Sequence, residues 1–153
     1  MRNSERGFTL IEMLLVFVIM GIVLTLAAPK LGRASGQMAV RNARNEVSAM
    51  ISLSRALAIQ NGRRANFRQD GAIVLVTLEN GIGGNLDTMA LRDMGAKYGV
   101  LVGPSALLNV PFDPRGFTNG STTPRTIAIS RDGFADTVCV IGLGKISTDR
   151  CSP

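Results

Sequence analysis

Hydrophobic and polar positions divide the chain into three unlike stretches. Residues 8–28 form a nearly continuous apolar run of 21 residues with one ionisable side chain, Glu12. At about 1.5 Å per residue, a helix of that length is as long as a bilayer core is thick, about 30 Å. The pattern therefore predicts a membrane-spanning helical segment. Pro29 closes the run, and within a continuing helix it removes one backbone hydrogen bond and bends the axis. Over 29–61 the apolar residues thin to a stripe. Val40, Ala43, Val47, Met50, Ile51, Ser54, Leu57 and Ala58 recur at three- and four-residue steps, with Arg41, Arg44, Asn45, Ser48, Ser52 and Arg55 largely off it. Such a helix needs a sheet against one face. Asn61-Gly62 is a good stop, since glycine takes the left-handed conformation after the cap without a Cβ penalty.

Beyond Gly62 the period shortens and turn residues punctuate it. Residues 65–69 and 72–78 around Asp70-Gly71 predict a β-hairpin. Further strands are expected over 98–102, 107–112, 126–130, 137–141 and 145–148, with Arg131-Asp132-Gly133 as a second hairpin turn. Asn80-Gly81-Ile82-Gly83-Gly84-Asn85 reads as a loop, and 86–97 is ambiguous, a weakly pairing strand at best. With no internal repeat, the fold class is α+β, one helix on an antiparallel sheet.

Glu12 does not fit a plain anchor, because a carboxylate one turn into an apolar helix costs about 2.5–3.5 kcal/mol on insertion scales. A cation met inside the lipid would offset this. A chain cut between Gly7 and Phe8 exposes an α-amino group, protonated at neutral pH with its reference pKa of about 7.7–8.0. A helix cannot fold its first residue onto its fifth, so the partner would be the amine of a neighbouring subunit. At about 4 Å and an effective dielectric near 20 that attraction is about 4 kcal/mol, and it would set the axial register of two helices.

The N-terminal residues Met-Arg-Asn-Ser-Glu-Arg-Gly followed by Phe-Thr-Leu-Ile-Glu resemble the class III signal of type IV pilins and type II secretion pseudopilins. Leader length, Gly7, Phe8, Glu12 and the apolar run all fall in place. The resemblance implies cleavage after Gly7 by a prepilin peptidase, N-methylation of Phe8 and a role for Glu12 in subunit assembly. An ordinary signal anchor with a stray glutamate is the alternative. The pilin-like organisation implied is a leader over 1–7, a transmembrane half-helix over 8–28, an amphipathic half-helix over 29–61 and an antiparallel β head over 62–153.

Composition narrows the chemistry. The chain has 153 residues and a formal charge of +6, of which the leader's Arg2, Arg6 and Glu5 carry +1. A basic balance fits nucleic acid, anionic lipid or acidic proteins without choosing among them. There is no histidine, so the commonest general base and metal ligand is missing; no catalytic site, metal site or cofactor is expected. Cys139 and Cys151 lack zinc spacing. A disulfide between them is the favoured reading and two free thiols the alternative; a disulfide places the head in an oxidising compartment such as a periplasm. Counting cations on either side of the apolar run, Arg2 and Arg6 against Lys30, Arg33, Arg41 and Arg44, does not favour that topology. The cysteine pair, the resemblance and a leader too short to be a translocated domain overrule the count.

Phe112-Asp113-Pro114-Arg115-Gly116-Phe117 reads as a proline turn whose phenylalanines pack into the core. It also resembles the Phe-x-Pro-x-Gly turn of pseudopilin H and of the FimT/FimU minor pilins, and the cysteines look more like the latter group. FimT-like pilins of competent bacteria carry a Gly-Arg-x-Arg stretch; the matching position reads Gly144-Lys145-Ile146-Ser147, leaving Lys145, helped by Arg150, as the DNA contacts that the resemblance implies. One lysine lacks the fork geometry of arginine, so a solvated rim is the preferred reading. Arg63, Arg64 and Arg68 form the densest positive cluster but without aromatic interleaving. Gly142-Leu143-Gly144-Lys145 fails as a phosphate loop, with Ile146 where Ser or Thr is required. Asn119-Gly120-Ser121 has only the form of a glycosylation site.

The expected role is that of a minor type IV pilin of the FimT/FimU group, related to type II secretion pseudopilin H. It would wait in the inner membrane with its head in the periplasm and join a priming or tip complex. Its partners would be other minor pilins, the major pilin, the prepilin peptidase and the inner-membrane assembly platform. Service to a type II secretion machine and DNA capture in natural transformation are the alternatives.

Overall fold

The computed structural model describes residues 8–80, 86–104, 107–118, 124–148 and 151, without the side chains of 26–31 and 33. Gly7, Arg150, the glycosylation-like Asn119-Gly120-Ser121 and loop residues 81–85 therefore lie outside the described residues, as do the side chains around the bend expected at Pro29. The chain divides into two compact units, 1–35 and 36–153.

Helix α1 spans Leu10–Asn61. Its end is built as the Asn61-Gly62 pair leads one to expect. Gly62 has φ +59°, its N–H donates to the Ile59 carbonyl at 3.4 Å, and the Arg63 N–H donates to the Ala58 carbonyl at 3.2 Å. This is a Schellman closure, which satisfies carbonyls that the helix leaves unpaired.

In the second unit α1 is followed by β1 Ala65–Asp70, β2 Ile73–Glu79, β3 Leu86–Asp93, α2 Met94–Tyr98, β4 Leu101–Gly103, β5 Leu108–Phe112, β6 Arg125–Arg131, β7 Phe134–Val140 and β8 Ile146–Ser147. These strands make two four-stranded antiparallel sheets, β3-β2-β1-β5 and β4-β6-β7-β8. The stripe of α1 forms one core with both: Val40, Ala43, Val47, Ile51 and Ala58 are buried together with Phe67, Val76, Val110, Phe112, Ile127, Ile129 and Val138. β6 shows the alternation most plainly, Ile127 and Ile129 pointing in while Thr126 and Ala128 stay exposed. Gln69 is fully buried; its amide nitrogen donates to the carbonyls of Gly71 at 2.7 Å and Pro104 at 2.9 Å, while its Oε1 has no hydrogen-bond partner among the described residues.

Three local expectations are corrected. The strand expected over 98–102 begins only at Leu101, because 94–98 is a helical turn: the Asp93 carboxylate accepts the Ala96 N–H at 2.8 Å and Gly99 closes it at φ +64°. The first hairpin turns on Gly71-Ala72 rather than Asp70-Gly71, since Asp70 pairs with Ile73 and Gly71 supplies the positive φ at the first loop position. The two phenylalanines of the 112–117 turn also part company. Phe112 is fully buried, whereas Phe117 is 42% exposed, its ring 5.9 Å from the Arg115 guanidinium. The ambiguous 86–93 stretch is a strand, and the turn at Asp132-Gly133 has positive φ at both residues, +50° and +82°, as a two-residue type I′ hairpin requires.

Candidate functional site

The chemistry singled out in the sequence sits at the start of α1. Phe8 is exposed, and Thr9 caps the helix: its hydroxyl accepts the Glu12 N–H at 3.3 Å while its carbonyl accepts the N–H groups of Glu12 at 3.1 Å and Met13 at 3.2 Å. Thr-x-x-Glu is the sequence form of a capping box, and an acid in the first turn opposes the positive end of the helix dipole. Glu12 thus has a local use that reading it only as an assembly residue overlooks. The signal, Thr9 three residues before Glu12, is in the sequence.

From Leu10 to Leu24 each large apolar side chain is exposed, between 47% for Met13 and 84% for Leu10. No stripe is set apart, so this segment offers apolar surface around its whole circumference. Among the described residues no helix is long and apolar enough to cross a membrane. At about 1.5 Å per residue, the stretch 10–25 with described side chains is about 24 Å long, short of a bilayer core of about 30 Å.

At the far end of the chain Cys139 and Cys151 are joined as a disulfide, with Cα atoms 5.5 Å apart. Cys139 lies buried in β7. The bond ties the C-terminal tail to a strand of the second sheet. The 112–117 turn is held by Asp113, whose carboxylate accepts the N–H groups of Arg115 at 3.0 Å and Phe117 at 2.9 Å. The Phe117 N–H bond lowers the Asp113 carboxyl most; burial opposes it, and the Arg115 contacts add to the lowering, so that the carboxyl is held below its ordinary range. Gly116, at φ +81°, passes so close to α1 that a Cβ there would lie 2.7 Å from Ile59 Cδ1 and 3.0 Å from Arg55 Nε. Glycine is required at this position both by the φ and by the approach.

Of the DNA contacts implied by the resemblance, Lys145 is exposed on the turn between β7 and β8, and Arg150 is outside the described residues. Arg63 and Arg64 are exposed and Arg68 is half-buried. The structure instead places Arg55 beside Lys145, on the wall of one open cavity. In the sequence Arg55 stood out only as a polar position largely off the apolar stripe of α1. Its long contact to the 144 region could not be read from helical spacing. Among the described residues no group of three His, Cys, Asp or Glu side chains could hold a metal ion.

Comparison with known proteins adds the following. Residues 2–28 match the prokaryotic N-terminal methylation motif. The chain is 32% identical to the pilin-like protein PilA1 of Thermus thermophilus over 163 aligned positions, covering 86% of this chain and 97% of that protein. In fold it is similar to the type IV minor pilin FimU of Pseudomonas aeruginosa in two crystal forms. The first gives a TM-score of 0.58 at 19% identity over 74% of this chain and 90% of the other. The second gives 0.56 at 20% identity over 74% and 94%.

Proposed function

We propose that this chain, which belongs to the type IV pilin family and has the fold of its FimT/FimU minor pilins, is a filament subunit of the priming or tip complex, released from a precursor by cleavage between Gly7 and Phe8. The observation that carries the reading is a helix apolar around its whole circumference, with a lone carboxylate in its first turn, four residues after the phenylalanine of a Gly-Phe pair. A surface of that kind is stable in two settings only, lipid and the centre of a bundle of like helices, and a pilin passes from one to the other. The sequence run over 8–28 is long enough for the first setting.

On this reading the prepilin peptidase removes residues 1–7, the Phe8 amine is methylated, and residues 8–28 hold the subunit in the inner membrane with the head in the periplasm. On assembly the helices of other minor pilins and the major pilin replace the lipid around α1. Glu12 is then neutralised by the amine of a neighbour. The disulfide supports the periplasmic placement, because such bonds persist in oxidising compartments. Service to a type II secretion machine uses the same chemistry and differs in phenotype: deletion would abolish secretion and leave pili intact.

Mass spectrometry of the native protein tests the cut, the methyl group and the disulfide together: the polypeptide is expected to begin at a methylated Phe8 and to gain two hydrogens on reduction. Glu12→Val is expected to insert into membranes yet be absent from sheared filaments. Thr9→Ala, which removes only the cap, should still be incorporated. A mature protein beginning at Met1, or normal incorporation of Glu12→Val, ends this reading.

A further inference from the structure

The head carries an open cavity of about 500 Å³ between one face of α1 and the turn joining β7 to β8, lined among others by Ser52, Arg55, Ile59, Leu143, Lys145 and Ile146. Two cations face it, and none of the described residues that line it is an acid. Lys145 has no ion-pair partner among the described residues. Arg55 is half-buried and fixed by one long bond, its Nη1 donating to the Gly144 carbonyl at 3.3 Å. Its Nε is buried against Gly116 and Gly144, with no hydrogen-bond partner among the described residues. A guanidinium carries five N–H donors, and for those left over beyond the bond to Gly144 a carboxylate or phosphate oxygen is the best acceptor.

The rim is apolar: Ile59 is 51% exposed and Leu143 70% exposed. No aromatic side chain lines it among the described residues, whereas single-stranded nucleic acid is held by aromatic platforms along a cationic groove. Two cations within an apolar rim instead complement a protein segment that carries a carboxylate between aliphatic side chains.

We infer that this cavity receives an acidic, aliphatic segment of a neighbouring filament subunit, its carboxylate meeting Arg55 and Lys145 and its flanking side chains covering Ile59 and Leu143. The inference rests on the filament-subunit reading for the identity of the neighbour. The recognition chemistry itself does not depend on that reading.

The test uses the full chain in detergent micelles and a labelled, capped peptide alternating glutamate with leucine, followed by fluorescence anisotropy. Saturable binding is expected. The glutamine-leucine counterpart and the variant Lys145→Gln should each weaken it roughly tenfold, the effect of losing one charge-assisted hydrogen bond. Arg41→Gln removes a charge elsewhere on α1 and should change nothing. Because Arg55 also braces the 144 turn, Leu143→Ser serves as the second variant, with a several-fold loss expected from the rim. Equal binding of the two peptides, or indifference to both Lys145→Gln and Leu143→Ser, overturns the proposal. So does an oligonucleotide that displaces the peptide and binds more tightly through Lys145, which would make the cavity a nucleic-acid site. Failure of the wild-type chain to enter filaments would remove the neighbour while leaving the peptide result intact, so the two readings fail separately.

Discussion

Residues 10–25 and 40–58 belong to one helix and draw on the same aliphatic residues, yet they meet opposite fates. In the first stretch Leu14, Leu15, Val18, Ile19, Ile22 and Val23 are all more than half exposed; in the second Val40, Ala43, Val47, Ile51 and Ala58 are buried. Apolar content does not separate them. The placement of polar residues does: Arg41, Arg44, Ser48 and Ser52 leave the second stretch a single stripe to bury, and the two sheets bury it. The first stretch has no polar face, so no single partner can satisfy it. At about 1.5–3 kcal/mol for each large side chain taken out of water, its unburied surface amounts to tens of kcal/mol, which only lipid or a surrounding bundle can supply.

The contrast is sharpened most strongly by paired truncations, one in each region. Phe67 is fully buried in β1 between β2 and β5, and Phe67→Ala is expected to cost the head about 3–5 kcal/mol, the range for emptying a large aromatic site. Leu15→Ala, at a side chain 58% exposed, should leave the unfolding free energy of the head within about 0.5 kcal/mol of wild type. Equal losses would mean that the two stretches are not energetically distinct. Reduction of Cys139–Cys151 comes next. Its sequence separation of 12 corresponds to about 3 kcal/mol of chain entropy, and the loss should appear in urea titrations of the head alone, with no change in membrane insertion.

Gly116→Ala should follow, at about 1–3 kcal/mol. The left-handed φ alone disfavours a Cβ, and Ile59 and Arg55 stand within 3.0 Å of where it would be. A neutral result would show that the 112–117 turn can withdraw from α1.

These expectations draw on parts of the molecule that differed in how plainly the sequence displayed them. The helix end at Asn61-Gly62, the stripe over 40–58 and the Asp132-Gly133 hairpin were readable because each is a local rule, satisfied within a few residues. The cysteines were readable because only one intrachain pairing of two is available. β3 was not, for an equally physical reason: seven of its eight residues are exposed, so no alternation records which face packs. The same absence drew 98–102 into a strand, although the Asp93 cap and Gly99 stop of α2 were present in the sequence. Phe117 was misjudged because the fold of its own turn decides which of the two phenylalanines points inward, and the contact of Arg55 was not legible because it is set by a segment distant in the chain, the 142–146 turn. At the site itself Gly7, Phe8 and Glu12 stood out in sequence, while the Thr9 hydroxyl's hold on the Glu12 N–H emerged from the structure.

The smallest expected effect contrasts the two acids of α1. Glu46, in the buried-stripe half, accepts from Lys97 Nζ at 2.7 Å and Tyr98 Oη at 2.6 Å and pairs with Arg92 at 3.4 Å, so it ties α1 to α2 and β3. Burial raises its pKa, but the hydrogen bonds from Lys97 and Tyr98 and the charges of Lys97 and Arg92 together outweigh burial and hold it below the ordinary 4.5. Lys97 is correspondingly raised above 10.5, first by its hydrogen bond to Glu46. A lowered acid stabilises the folded state fully above its unfolded pKa and loses that contribution as pH falls through the folded value; a raised base contributes fully below its unfolded pKa and loses it as pH rises through the folded value. The cluster is therefore complete between about pH 4.5 and 10.5. Exposed on its cationic side, it contributes little to stability. Glu46→Gln should lower the urea midpoint slightly at neutral pH and converge with wild type on acidification below 4.5, whereas Glu12→Gln should leave the head unchanged at every pH. A Glu46→Gln deficit that persists in acid would assign the effect to packing instead of charge, and the two acids of α1 would then differ in burial alone.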